Sequence, residues 1–157
     1  MTIQTPFNLE DLADFLIKAK PRVYSSEAEI HKPQELGCEE FLLYVERDFE
    51  YNCAVDKEGV KFKGVPVWSV VYSGGMLPKF SGDLEFTKKT FEFLRRAISK
   101  FEHDKPFRGP HSCVWLPFVY ADESEGDITD FRGRRRIFWS SYGVFSQDYI
   151  GGLIIHK

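Results

Sequence analysis

His111 and Cys113 stand two residues apart, the spacing that puts two side chains on one face of a strand. Such a pair could supply a thiolate nucleophile and its base, given an electropositive setting. An inert, packed cysteine is the plainer reading and is preferred. Asp122, Glu123, Glu125 and Asp127 form a second group. Two carboxylates in a desolvated cleft can do general acid–base work; at a hairpin tip they are merely solvated, and the tip is preferred. Their spacing does not match a calcium-binding EF-hand loop. His31, His103, His111 and His156 lie in no HExxH or Cys-His pattern. His31 has no second ligand at metal-binding distance along the chain, so no metal site, cofactor or catalytic residue is assigned.

Arg134, Arg135 and Arg136 could receive an anion, because guanidinium forks match carboxylate and phosphate. Strand alternation sends Arg134 and Arg136 to one face and Arg135 to the other. The preferred reading is an edge strand whose charge discourages further pairing. The fullest candidate set is aromatic: Trp68, Tyr72, Trp139 and Tyr149, joined by Arg108 and Asp148. These are the ligand-binding candidates, lining a mostly apolar cleft with a few polar anchors. Core packing is their plainer alternative. Asp148 must face water or meet a cation such as Arg108, since a buried lone carboxylate is costly.

Positioning those residues falls to a short repeat. Val67-Trp68-Ser69-Val70-Val71-Tyr72-Ser73-Gly74-Gly75 returns as Val144-Phe145-Ser146-Gln147-Asp148-Tyr149-Ile150-Gly151-Gly152, offset by 144 − 67 = 77 residues. Both copies read as strands, rich in residues that suit a pleated, half-buried surface. Trp68, Val70 and Tyr72 share one face; Phe145, Gln147 and Tyr149 share one in the second copy. Each Gly-Gly reads as the turn or bulge that ends its strand. Each copy follows a Phe-basic-Gly turn, Phe62-Lys63-Gly64 or Phe131-Arg132-Gly133, and each half begins with an amphipathic helix. A duplicated helix-then-meander unit accounts for all three, with halves at about 8–77 and 83–155 of a single domain 1–157.

Around the repeat, Asn8 caps a helix over 9–19, with Phe7 and Leu12 as a hydrophobic staple and Pro21 as its stop. Residues 22–37 read as a loop. Strands follow at 39–45, with Phe41, Leu43 and Val45 on one face, and at 48–55. Asp56-Lys57-Glu58-Gly59 reads as a turn. Asp83 caps a second helix over 84–102, whose stripe is Leu84, Phe91, Leu94, Ile98 and Phe101; Lys88, Lys89, Arg95, Arg96 and Lys100 form its solvated side. Residues 113–120 make a strand broken by Pro117, residues 121–126 a turn, and 153–155 a last short strand.

Composition bounds the function. Aromatic residues are 16% of the chain, which favours a β-rich globule over disorder. A net charge of −3 predicts no general affinity for nucleic acid or anionic membrane. Cys38, Cys53 and Cys113 are odd in number and contain no CxxC, so reduced thiols in a cytoplasmic protein are expected. No secretory leader and no spanning apolar run are read.

Lys63-Gly64-Val65-Pro66-Val67-Trp68 followed by Tyr72-Ser73-Gly74-Gly75 resembles the signature of bacterial domain of unknown function 5680. Phe107-Arg108-Gly109-Pro110 and Tyr149-Ile150-Gly151-Gly152 are similar to later parts of that family, so the resemblance spans about 12–152. It implies a sensing or regulatory role, since some members are similar to this domain behind a helix-turn-helix. No such DNA-binding unit is read here. The expected fold is α+β: two related α-then-β-meander halves, a twisted antiparallel sheet or partial barrel, and two helices packed on it. The expected function is non-catalytic binding or sensing of a small molecule or partner protein. The alternatives are an enzyme using Asp148 or an acidic-turn carboxylate in the cleft between halves, and a homo-oligomeric subunit joined through an edge strand.

Overall fold

The computed structural model describes residues 4–24, 29–31, 41–54, 56–100 and 105–154, with backbone alone at 23–24, 29–31 and 41–42. The elements run α1 (Leu9–Tyr24), β1 (Glu29–His31), β2 (Phe41–Glu46), β3 (Phe49–Cys53), β4 (Lys57–Phe62), β5 (Val65–Met76), α2 (Leu84–Ile98), β6 (Ser112–Trp115), β7 (Phe118–Asp127), β8 (Asp130–Trp139) and β9 (Tyr142–Leu153). Among the described residues the nine strands make one antiparallel sheet in the order β1-β2-β3-β4-β5-β9-β8-β7-β6. The sheet is twisted and open, so the partial-barrel alternative gives way to an α+β sheet with two free ends. Two meanders therefore meet through their last strands, β5 and β9.

The register of that meeting is symmetric about one pair. Tyr72 lies opposite Tyr149, Trp68 opposite Leu153, and Met76 opposite Phe145. Tyr72 and Tyr149 are the matched residues of the repeat, since 149 − 72 = 77. Trp68 and Phe145 lie equally far from that pair along their own strands, and both are fully buried. Alternation in register puts Trp68, Val70, Tyr72, Phe145 and Tyr149 on one face. Both helices cover this face, α1 over β2 and β3, α2 over β6 and β7. One apolar cluster gathers Leu12, Leu16 and Ala19 of α1 with Tyr51, Val60 and Trp68. The other gathers Phe93, Leu94, Ala97 and Ile98 of α2 with Tyr120, Ile137 and Phe145.

The helices start where side-chain caps satisfy open N–H groups. Asn8 Oδ1 accepts from Glu10 N–H at 2.9 Å, and Asp83 Oδ1 from Phe86 N–H at 3.0 Å. Phe7 packs on Phe49 and Phe62, ring centroids 5.6 and 5.2 Å away, rather than serving only as a staple. Pro21 does not stop α1 but lies inside it. Packing of Leu16, Ala19 and Lys20 on the sheet holds the last turn across the missing N–H bond. Helix α2 ends at Ile98, and its buried stripe is Thr90, Phe93, Leu94, Ala97 and Ile98, while Leu84 and Phe91 are exposed. Phe93 and Ala97 set the phase in place of Leu84 and Phe91. In β2, Tyr44 stacks on Phe15 and Val45 faces out, reversing the expected phase.

Four expected turns or bulges lie within strands. Lys57, Glu58 and Gly59 belong to β4, and residues 121–126 to β7. Both Gly-Gly pairs lie inside their strands, Gly74 opposite Gln147 and Gly151 opposite Val70. The reason is space for crossing groups. A Cβ at Gly151 would come within 2.5 Å of the Ser69 carbonyl and 2.6 Å of the Phe131 ring, which passes over it to stack on Trp68. Leu153 closes β9 instead of starting a new strand. Part of the expected 22–37 loop is the end of α1 and β1; its remainder, with Cys38, His103 and His156, lies outside the described residues.

Gly151→Ala is therefore expected to destabilise the fold by about 1–3 kcal/mol through overpacking. Gly75→Ala, with nothing within 4 Å of the added carbon, should stay within about 0.5 kcal/mol of wild type. Urea unfolding of both measures the contrast, and equal losses would contradict the ring-crossing account.

Candidate functional site

Between the two apolar clusters the helix-covered face turns polar. Lys20, Glu58, Arg108, Asp122, Arg135 and Gln147 are all buried there, none more than 8% exposed. Each element delivers its member by local periodicity. Lys20 follows Leu16 by four residues and Ala19 by one, so α1 carries it onto the sheet. Glu58 lies opposite Val70, Arg135 opposite Gln147, and Asp122 opposite Arg135. Register with Val70 and Tyr149 sets all of them on the inner face.

The contacts join into one network. Lys20 Nζ is 3.4 Å from Glu58 Oε2, with both side chains almost fully enclosed. The same ammonium sits 5.8 Å from the centre of the Trp68 ring system. Arg135 lays its guanidinium 4.2 Å from the Tyr72 ring centroid and donates from Nε to Gln147 Oε1 at 2.7 Å. Asp122 accepts two phenol hydrogens, from Tyr149 Oη to Oδ1 at 2.6 Å and from Tyr120 Oη to Oδ2 at 2.8 Å. Tyr149 reaches Asp122 from β9 by crossing β8 at Gly133, where a Cβ would lie 2.3 Å from its oxygen. Arg108 donates from a terminal nitrogen to the Gly109 carbonyl at 3.0 Å.

Burial shapes the protonation of these groups. Desolvation pushes the Asp122 carboxyl above its ordinary value, against the phenol hydrogen bonds and the charges of Arg108 and Arg135, which pull it down. Desolvation also holds Tyr72 well above the usual phenol value, helped by the Glu58 charge and opposed by Arg135. Tyr120 and Tyr149 are raised by burial and by Asp122. All three phenols are neutral donors at physiological pH. The arrangement can offer a planar cation, a stacked ring, an amide and fixed phenols to a polar group.

Of the six candidates read from the sequence, four lie on this face. Tyr72, Arg108 and Tyr149 belong to the polar network, and Trp68 floors its edge, donating its indole N–H to the Ile128 carbonyl at 3.0 Å. Asp148 does not join them. It faces outward and pairs with Arg134, Nε to Oδ1 at 2.6 Å, which lowers its pKa. Its partner is therefore Arg134 and not Arg108, because alternation puts position 148 opposite in face to 147 and 149. Trp139 is also elsewhere: it ends β8, 38% exposed, edge-to-face with Phe86 of α2 at 5.6 Å. A register shift between Ile137 and Phe138 precedes it.

The arginine run is not on an edge. Strand β8 is internal, so Arg134 and Arg136 build an outer ladder with Asp148 and Glu123 while Arg135 points inward. Lys20, Glu58 and Gln147 were missed as site residues, and Asp122 was weighed only as an acidic-turn carboxylate. Asp122 hid in an acidic run and Glu58 in an apparent turn; the Tyr120–Asp122 spacing on a strand was the available signal. His111 is exposed, and Cys113 packs at the margin of the α2 core. Among the described residues no group of three or more His, Cys, Asp or Glu is placed to hold a metal, and no helix is long and apolar enough to cross a membrane.

A family model, Domain of unknown function (DUF5680), matches residues 52–154, which is 103 of the 157 residues. The chain belongs to that family. The match takes in Glu58, Tyr72, Arg108, Asp122, Arg135, Gln147 and Tyr149, and leaves out Lys20 with α1. No curated protein and no solved structure matches the chain.

The raised Asp122 gives a signed pH effect. The folded state binds this proton more tightly than the unfolded state, so its contribution favours folding in acid and is lost as pH rises through the folded value. Urea titrations of wild type and Asp122→Asn should show the stability difference moving toward wild type as pH falls from neutral. Glu46, Asp127 and Asp148, whose values are lowered, cancel in that difference. A flat or inverted difference would sink the assignment.

Proposed function

We propose that this member of the DUF5680 family is a non-catalytic binding domain whose ligand is a small charged or polar molecule held between its two apolar cores. The observation that carries this is five ionisable side chains, Lys20, Glu58, Arg108, Asp122 and Arg135, buried together on an otherwise aromatic and aliphatic face. Each buried ion costs several kcal/mol of desolvation, and apolar replacements of similar volume often stabilise. Such a cluster is a poor means to stability and a good means to recognition. Tyr72, half-buried, is the member that reaches the surface. The symmetric register about Tyr72 and Tyr149 supports reading the halves as copies of one unit, with the site where they meet.

Catalysis with Asp122 as base is the weaker reading, since both of its oxygens already accept a phenol hydrogen. A thermal-shift screen against dicarboxylates, amino acids, nucleotides and polyamines tests the binding reading. A ligand at about 100 times its Kd adds about 2.7 kcal/mol, and each kcal/mol raises Tm by about 2–4 °C at this size. At least one class should shift wild type by several degrees. Arg135→Gln and Tyr72→Phe should lose the shift, and Asp148→Asn should keep it. No shift, with a Tm that climbs with protein concentration, would favour a self-associating subunit instead.

A further inference from the structure

Strand β6 ends the sheet, and among the described residues no strand pairs with its open side. Natural edges are blunted by lysine, proline, inward charge or shortness. Strand β6, Ser112-Cys113-Val114-Trp115, has only its shortness. Val114 is 62% exposed on the outer face, and Trp115 is 51% exposed on the helix-covered face. One bond fixes the direction of its backbone groups. Asp122 N–H donates to the His111 carbonyl at 2.9 Å, and Cys113 faces Tyr120 in the same register. Hydrogen-bonded positions alternate along an antiparallel pair. Ser112 and Val114 therefore turn their N–H and C=O to the open side.

One flank of α2 runs beside this edge. Arg96 lies 4.0 Å from the Trp115 ring centroid, while Phe91 meets Phe145 of β9 on the opposite flank. Helical spacing sets Glu85, Lys89 and Glu92 in line with Arg96, and all four are exposed. The stripe is neutral and alternates in sign. Turned end for end it matches itself. Glu85 then falls opposite Arg96 and Lys89 opposite Glu92, since 85 + 96 and 89 + 92 are both 181. Lys89 pairs with Glu85 inside the helix at 3.7 Å, an exposed contact weak enough to be shared.

We infer that β6 is a homodimer edge: two copies pair β6 with β6, antiparallel about a two-fold axis at Val114, and lay α2 beside α2. A two-fold normal to the sheet keeps both helices on one face and runs them antiparallel. Phe93 packs on Trp115 of β6 and on Phe118 of β7, so α2 lies over the line between those strands. That line is two strand spacings from its copy, roughly 10 Å, and helices pack at about 8–10 Å. Phe86 and Phe93 both stack on Phe118, which faces Trp115 in register, so the middle of α2 is level with Trp115. The centre of the charge stripe thus falls beside the centre of the strand pair. Val114 meets Val114 of the second copy on the outer face, and Trp115 is enclosed beneath two helices. A lone added peptide would cover the edge and leave the stripe unmatched. The inference is independent of the ligand reading, because β7 and β8 stand between β6 and the β5–β9 seam.

Sedimentation velocity of the full chain over a range of concentrations tests this, with circular dichroism to show that each variant is folded. Wild type should dimerise. Val114→Pro removes an N–H that β7 does not use, at a position where edge strands tolerate proline, and should weaken the dimer about tenfold or more. Glu85→Arg and Arg96→Glu each set like charges against one another twice across the axis, and each should weaken it about tenfold. Mixed in equal amounts, these two variants should recover the dimer, because the heterodimer has an opposite-charge pair at both ends. Positions 85 and 96 lie roughly 16 Å apart along one helix, so no contact within a chain gives that recovery. A wild type that stays monomeric overturns the inference. So does a folded Val114→Pro or single charge variant that dimerises as wild type does, or a mixture of folded charge variants that stays monomeric.

Discussion

The pairing of β5 with β9 is the constraint on which the molecule depends. It joins two meanders that would otherwise be separate sheets, and its register decides which side chains lie beneath the helices. A slip of one residue would turn every side chain of one meander to the other face. Trp68 would leave the α1 core, or Phe145 the α2 core, and the buried charges would face solvent. Aromatic bulk on the inner face pins this register. Trp68 stacks on Phe131, Phe131 packs on Phe107 at 4.6 Å, and Tyr72 meets Tyr149 at 5.8 Å between ring centroids. Glycine is needed where these rings cross a neighbouring strand, as at Gly133 and Gly151. Gly151 thus serves lateral packing across strands, not chain reversal.

Between the cores the energetics change character. At an effective dielectric of about 20, charges 3.4 Å apart attract by about 5 kcal/mol, and Lys20 and Glu58 are that close. Desolvating both ions costs a comparable amount. The pair therefore adds little net stability but sets α1 in one position on the sheet, because any slide of the helix would leave two enclosed charges apart. Asp122 does the same for the second half. It holds Tyr120 of its own strand and Tyr149 of β9, so one carboxylate links β7 to β9 across β8. Rigid walls on both sides leave Tyr72 and the Arg135 guanidinium laid over it between them.

Much of this architecture was legible as pattern. Period-two alternation gave the strands around Trp68 and Phe145, and capping chemistry gave Asn8 and Asp83 as helix starts. The two misread turns share one cause: composition was allowed to outweigh periodicity. Asp56-Lys57-Glu58-Gly59 and the 121–126 run look like turns because their residues are polar. Each is a strand that sends one charge inward and the others to water. Arg135 was separated from its neighbours by alternation alone, yet its burial depended on β8 being internal, which is a long-range fact of sheet order. Lys20 was invisible because a lysine at a helix's inner position resembles one at its boundary until Glu58 is known to lie opposite. Asp148 was grouped with residues of the other face, although its own alternation argued against it.

The symmetric register also shows how the two halves differ. Glu58 faces Val70 across β4 and β5, and Arg135 faces Gln147 across β8 and β9. Since 147 − 70 = 77, Glu58 and Arg135 occupy matching positions about the Tyr72–Tyr149 pair. They carry opposite charges. Cys53 lies opposite Glu58 where Asp122 lies opposite Arg135, so the next strand outward inverts as well, a carboxylate on one side and a thiol on the other. A symmetric scaffold with identical residues at these places would bury like charges near one axis and repel itself. Opposite charges instead let the inner faces of the two meanders complement each other across Tyr72, whose hydroxyl is raised by Glu58 and whose ring is capped by Arg135. The β5–β9 register is symmetric about Tyr72 and Tyr149 and the electrostatics are not. That difference puts a Lys20–Glu58 pair beneath α1 and Arg135 beside Asp122 in the other meander, an asymmetry that an uncharged seam of two equal halves would lack.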